Sequence, residues 1–404
     1  MRTCILAITM SFFATPSATA QLYTVVELPT LPGTFRASVT DLNERLEVVG
    51  HCDGQAVRWD AAGVWPLGFA GQQKLTINNR GVVSGTRTVS GMPELFEWEA
   101  GVFRRLPAPP GTLVGLLSRS ENDIFLERTT DRTWAAVGGT FYDVATLVGF
   151  PDANIIGVSD SGTVAGQVYG TPGVFAGTLF LRFLDGRIVQ PTGGPLATLD
   201  AIGPAGHFVG TTGGLLDRRF YVGTPDGAAA VVNMNGTRFL RVSDINRRGE
   251  FVGTVAFLAG DPDAVVYRNG QLVSLDGTLD SPYTLLTADA INDAGVIAAT
   301  GRRIGGGPIV GLLLIPRQPE APQNVTFTVV NRTVTVRWDT VPNAVEYVLE
   351  AGTASGSSDV FNGSIGAQTS LSAAAPPGRY YVRVCARTAS GLGAPSAEIV
   401  ILVP

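Results

Sequence analysis

Ile245-Asn246-Arg247-Arg248-Gly249-Glu250-Phe251-Val252-Gly253 decides how this chain folds. An apolar residue leads into Asn, two polar residues and Gly, followed by a short, mostly apolar run and a second Gly. Asn opens a turn through its side chain and the first Gly accepts the positive φ at its end, so the segment predicts two antiparallel strands joined by a tight hairpin. Ile77-Asn78-Asn79-Arg80-Gly81 leading to Gly85, and Ile291-Asn292-Asp293-Ala294-Gly295 leading to Ala299, repeat the pattern. Weaker copies run from Leu42-Asn43 to Gly50, Arg119-Ser120 to Glu127, Val158-Ser159 to Gly166 and Ile202-Gly203 to Gly210. The turn residue thus recurs at 43, 78, 120, 159, 203, 246 and 292, with a period of about 41 residues.

A second strand pair follows each hairpin. Ala56-Val57-Arg58-Trp59 and Val64-Trp65-Pro66-Leu67 flank the turn Asp60-Ala61-Ala62-Gly63, and Leu95 to Trp98 with Val102-Phe103, or Ala264 to Tyr267 with Gln271 to Val273, do the same. Four strands in such a period is the size of one β-propeller blade, whereas a β-solenoid has shorter and more regular coils. The expectation is all-β: a seven-bladed propeller over residues 21–316. Its seventh repeat lacks a fourth strand before Pro316, and Leu22 to Leu28 resembles a fourth strand without a blade. Joining the two closes the ring and removes an exposed edge.

These repeats resemble those of the bacterial extracellular HAF-repeat proteins, which combine an Ile-Asn-x-x-Gly hairpin, a His-Ala-Phe strand and an Asp-Leu-Gly-Thr-Leu-Gly-Gly-like exit. The hairpin matches at Asn78, Asn246 and Asn292, and the exit is echoed in Glu27-Leu28-Pro29-Thr30-Leu31-Pro32-Gly33. Gln55, Glu94 and Asp263 stand where the family has histidine. The resemblance implies a secreted propeller and names no activity.

The period stops at a Pro-rich hinge, residues 317–322, and residues 323–404 resemble a fibronectin type III domain. Trp338 on the second strand, Tyr380 in Pro376-Pro377-Gly378-Arg379-Tyr380 before the sixth, and Ser390 to Ser396 leading into the last carry this likeness. Such modules serve as spacers or docking units.

Of 404 residues, 45% are hydrophobic and 16% charged, so the chain folds. A formal net charge of −5, with Lys74 the one lysine, provides no basic field for nucleic acid. Residues 1–20 read as an export signal: Arg2, an apolar run from Cys4 to Ala14, then a small-residue cleavage site ending at Ala20. That run is too short to span a membrane. The expected product is a secreted monomer with no membrane span. Cys52 and Cys385 are expected as free thiols, Cys385 on the outward side of its strand.

Candidate chemistry is sparse. His51 and His207 adjoin hairpin runs and are expected at the hairpin surface; His51-Cys52-Asp53 alternates faces and converges poorly on a metal. Neither a cofactor nor a metal is expected. The connections from second to third strand, among them Thr86 to Glu94, share one end of the ring with those between blades, which makes that end the candidate binding face. It carries Arg218, Arg219, Arg302 and Arg303, suited to clamping a carboxylate or sulfate, beside Asp217, Asp261 and Asp263. A non-catalytic protein binding an extracellular glycan or protein is the first expectation. The alternative is a polysaccharide hydrolase or lyase using Asp217, Asp261 or Asp289 as acid and base, for which carboxylates and an arginine must converge at the axis.

Overall fold

The computed structural model describes residues 23–404 except 72–73, 150–152, 169–177, 183–185, 190–197, 213–218, 233–238, 257–262, 277–278, 280, 343 and 389–390. The expected export signal lies outside the described residues.

Each repeat forms one four-stranded antiparallel sheet in chain order. Sheet 1 contains Ala37–Leu42, Val48–Cys52, Gln55–Asp60 and Gly63–Ala70. Sheets 2 to 6 open with Leu75–Ile77, Leu113–Arg119, Ala153–Val158, Thr198–Ile202 and Phe239–Ile245. Sheet 7 contains Tyr283–Ile291, Ile297–Arg303 and Ile309–Pro316, and Tyr23–Glu27 supplies its fourth strand, with Val25 opposite Leu314. The first strands stand around one axis, that of sheet 7 against that of sheet 1, and that of sheet 3 meets the second and third strands of sheet 2. The architecture is a propeller-like ring in which the two ends of the array share a sheet.

The cores lie between neighbouring sheets. Leu75, Val83 and Phe96 of sheet 2 pack on Val49 and Ala56 of sheet 1, and Phe251 and Val265 of sheet 6 on Val209 and Phe220 of sheet 5. The second glycine of the repeat permits a close approach of strands: a Cβ at Gly50 would fall 2.0 Å from the Ser38 carbonyl oxygen.

The repeat's asparagine does two jobs. Asn43 Oδ1 accepts from the backbone N–H of Arg45 at 2.9 Å and of Glu47 at 3.0 Å, which holds the turn. Its Nδ2 donates to the Asn78 carbonyl at 2.9 Å in the next sheet. Asn246 likewise reaches the Asn292 carbonyl at 3.1 Å, and Asn292 reaches Asn43 at 3.3 Å, closing the ring from last repeat to first.

Two expectations are corrected. Thr86 to Glu94 is no loop: Arg87 pairs with Glu94 and Val89 with Met92, and a tight turn at Ser90 and Gly91, both at positive φ, continues the ladder to its end. His51 is buried in its sheet and His207 lies half-buried against Gly249 of the next sheet, because the packed inter-sheet space takes in the residues next to the hairpin runs. Cys385 stays on the outward side of its strand, the side of Arg383 and Arg387, while Val382, Val384 and Ala386 enter the core, and it is nonetheless buried. Cys52 and Cys385 are both free thiols.

The C-terminal residues build a sandwich. Thr326–Val330, Thr333–Arg337 and Ser370–Ala374 form one sheet; Glu346–Gly352, Phe361–Ser364, Gly378–Thr388, Gly391–Pro395 and Ile399–Val403 form the other. Trp338 meets Tyr347 edge-on in the core between them, and the Tyr380 hydroxyl donates to the Pro376 carbonyl at 3.0 Å, pinning the corner before its strand.

Candidate functional site: the axial channel

The seven first strands wall a channel of about 910 Å³. In sheets 1, 3, 4, 5, 6 and 7 the first strand breaks register by one residue, skipping Thr40, Leu117, Ile156, Asp200, Ser243 and Asp289. All six lie three residues before the repeat's turn residue and line the channel. A bulge re-aims the side chain it carries, so one irregularity repeated around the ring sets the lining.

At the hairpin end, side chains just after the turn residue hydrogen-bond from sheet to sheet. The backbone N–H of Glu44 donates to Asn79 Oδ1 at 2.9 Å, that of Asn79 to Glu121 Oε2 at 3.0 Å, and that of Glu121 to Asp160 Oδ1 at 2.8 Å. Arg247 N–H donates to Asp293 Oδ1 at 2.8 Å and Asp293 N–H to Glu44 Oε1 at 2.7 Å. Sheet 5 has Pro204 there, which offers no N–H, and the Arg247 guanidinium spans it to pair with Asp160 at 2.5 Å.

Midway along the channel, Asp41 accepts from its neighbour Leu42 N–H and from Ile77 N–H of sheet 2, both at 2.8 Å. Asp244 does the same with Ile245 at 2.8 Å and Ile291 of sheet 7 at 2.9 Å. Both are ringed by protein while keeping an edge on the channel. Burial, then the charge of Asp244, pushes the Asp41 carboxyl up to about 7, against the pull of its backbone donors and Lys74. Burial also raises Asp244. Asp289 accepts from the hydroxyls of Thr287 at 2.8 Å and Thr300 at 2.9 Å, and burial pushes it up to about 6.

The opposite end holds the channel's unpaired cations. Lys74 precedes the first strand of sheet 2 and Arg241 lies on that of sheet 6; both are exposed and line the channel. Lys74 acts electrostatically on Asp41, Asp244 and Asp289, and Arg241 on Asp289, yet among the described residues neither makes an ion pair. Arg119, by contrast, is buried and bonded to Ser84, Glu97 and Asp123. Sheets 3 and 4 contribute an apolar wall of Leu117, Ile156 and Val158.

Of the residues singled out from sequence, those the structure describes sit elsewhere, with one exception. Asp217, Arg218 and Asp261 lie outside the described residues. Arg219 is exposed at the start of a strand of sheet 5. Arg302 and Arg303 are exposed at the end of Ile297–Arg303, and Arg303 pairs with Glu27 at 2.9 Å and lies over the Tyr283 ring, tying down the strand that closes the ring. Asp263 is half-buried and accepts from Ser274 at 2.9 Å; burial raises its pKa, and nearby Asp276 adds to this. Arg219, Arg302, Arg303 and Asp263 do not line the channel, whereas Asp289 does. Sequence reading missed Asp41, Asp244, Lys74 and Arg241. The signal for them was the lone lysine and the two aspartates placed identically, two residues before Asn43 and Asn246. Among the described residues no three His, Cys, Asp or Glu side chains gather as metal ligands.

An all-β ring of four-stranded sheets walling an axial channel defines a protein of the β-propeller kind. No family model matches the chain, and no curated protein does. Similar solved structures include YCF48 bound to a D1 peptide, 12% identical over 76% of this chain and 99% of that one, TM-score 0.43. A gluconolactonase from Xanthomonas campestris is 14% identical over 75% of this chain and 94% of its own, TM-score 0.37. A Fn3-like protein from Clostridium thermocellum is 22% identical over 22% of this chain and 96% of its own, TM-score 0.19.

Proposed function

We propose that this is a secreted, non-catalytic binding protein: a seven-bladed propeller that takes an extracellular glycan or protein at its axial channel, with a fibronectin type III module as spacer. The observation that carries this is the division of labour among the channel's charges. Asp41 and Asp244 spend both oxygens on backbone N–H groups, one of them in the neighbouring sheet, which is structural work, while among the described residues Lys74 and Arg241 make no ion pair at the open end. The channel therefore offers groups that hold a ligand. The N-terminal signal supports export, and the repeat residues at Asn78, Asn246 and Asn292 support kinship with HAF-repeat proteins.

A glycan and polysaccharide array probed with residues 21–404, with product analysis of everything retained, tests the reading. Retention without cleavage is expected, weakened at least tenfold by Lys74→Met with Arg241→Met and unchanged by Arg302→Ala with Arg303→Ala. Retention lost only on changing Arg302 and Arg303 would return the site to the rim.

One observation favours a second reading, a polysaccharide hydrolase or lyase. Asp41, pushed up to about 7, lies within electrostatic reach of Asp244, and both line the channel with Asp289 and Arg241. Released oligosaccharide, abolished by Asp41→Asn, would establish it.

A further inference from the structure

Three features of the channel lie on different walls. Lys74 and Arg241 come from sheets 2 and 6, which stand across the ring from each other, so an anionic group on the axis is open to both. Asp289 receives its two hydroxyl bonds on Oδ2, which leaves Oδ1 to accept from a ligand. Leu117 and Ile156, brought to the channel by their bulges, present an apolar surface from sheets 3 and 4. A volume of about 910 Å³ exceeds that of a single monosaccharide and admits a short oligomer.

Resting on the channel-binding reading, we infer that the ligand is an anionic saccharide: its carboxylate or sulfate is held between Lys74 and Arg241, its hydroxyls donate to Asp289, and its apolar ring face lies on Leu117 and Ile156. Sugar rings combine these three surfaces, an acidic substituent, hydroxyl donors and a C–H face. A cationic amine suits this arrangement less well. The carboxyls Asp41 and Asp244 are already engaged by backbone donors, and an amine would leave the two cations unpaired at the mouth it must pass.

The groups facing the bound anion are Lys74 and Arg241, with Asp41, Asp200, Asp244 and Asp289 behind them. A ligand anion favours the protonated form of Asp41, Asp244 and Asp289, so its binding takes up protons and tightens as pH falls from 8 to 6; a cation would show the reverse.

Isothermal calorimetry on residues 21–404 tests this with tetragalacturonate, a heparin tetrasaccharide, maltotetraose and chitosan tetramer, at pH 6 and pH 8. Tetragalacturonate or the heparin fragment is expected to bind at least tenfold more tightly than maltotetraose, and more tightly at pH 6; comparing the two separates carboxylate from sulfate. Lys74→Met with Arg241→Met removes that preference and leaves maltotetraose binding unchanged, while Lys74→Arg retains it. Preference for maltotetraose or chitosan overturns the anionic assignment but leaves the channel-binding reading standing. No binding by any of the four also overturns the assignment, and the array then decides the broader reading.

Discussion

Glu127 stands where the other repeats carry Gly50, Gly85, Gly166, Gly210, Gly253 and Ala299. It is 1% exposed, its Oε2 has no hydrogen-bond partner, and burial pushes it up to about 8. The first strand of sheet 3 shifts register on both sides of Leu116, the residue paired with Glu127. Because the folded-state pKa lies above the unfolded value, the unfolded chain ionises first as pH rises, and stability falls between about pH 4 and pH 8. Glu127→Gln is expected to raise stability at pH 8 by on the order of 2 kcal/mol, with little change at pH 4, measured by urea unfolding at both values. Equal effects at the two pH values would mean the carboxyl is not held neutral. The sequence flagged this position as a weak copy of the repeat. It could not reveal the burial, which depends on how two neighbouring strands pair.

At the scale of the element, the hairpin was readable because its chemistry is local. Asn and Gly three positions apart determine the turn whatever surrounds it, and Gly81, Gly249 and Gly295 all adopt the positive φ that the motif requires. The asparagine's second bond, to the next sheet, is not local and was not legible. Asn292→Ala removes the acceptor for Val296 N–H and the donor to the Asn43 carbonyl, and is expected to cost about 2 kcal/mol. Asn78 keeps its turn bonds to Arg80 and Val82 N–H, but its Nδ2 has no partner, so Asn78→Ala should cost less. Chemical denaturation of the two variants gives the comparison; equal costs would mean the inter-sheet bond contributes nothing. The stretch Thr86 to Glu94 was misread as a loop because polar residues on a strand projecting past the core carry no apolar alternation.

At the scale of the molecule, the period and the shared closing sheet were legible, whereas the site was not. Each sheet contributes a few channel residues, from positions about 41 apart in sequence, so no short motif contains Asp41, Lys74, Arg241 and Asp289 together. The paired arginines drew attention because they are adjacent, and Arg303 serves the ring's closure through Glu27. The lone lysine, read at first only as a shortage of positive charge, makes the channel directly testable. Timed acylation of residues 21–404 with an amine-reactive ester, read by peptide mass spectrometry, reports only Lys74 and the N-terminal amine. With saturating tetragalacturonate, or whichever saccharide the array retains, Lys74 acylation is expected to slow at least fivefold while the N-terminal amine reacts as before. An unchanged rate at Lys74 with the ligand demonstrably bound would place binding elsewhere and contradict the axial site.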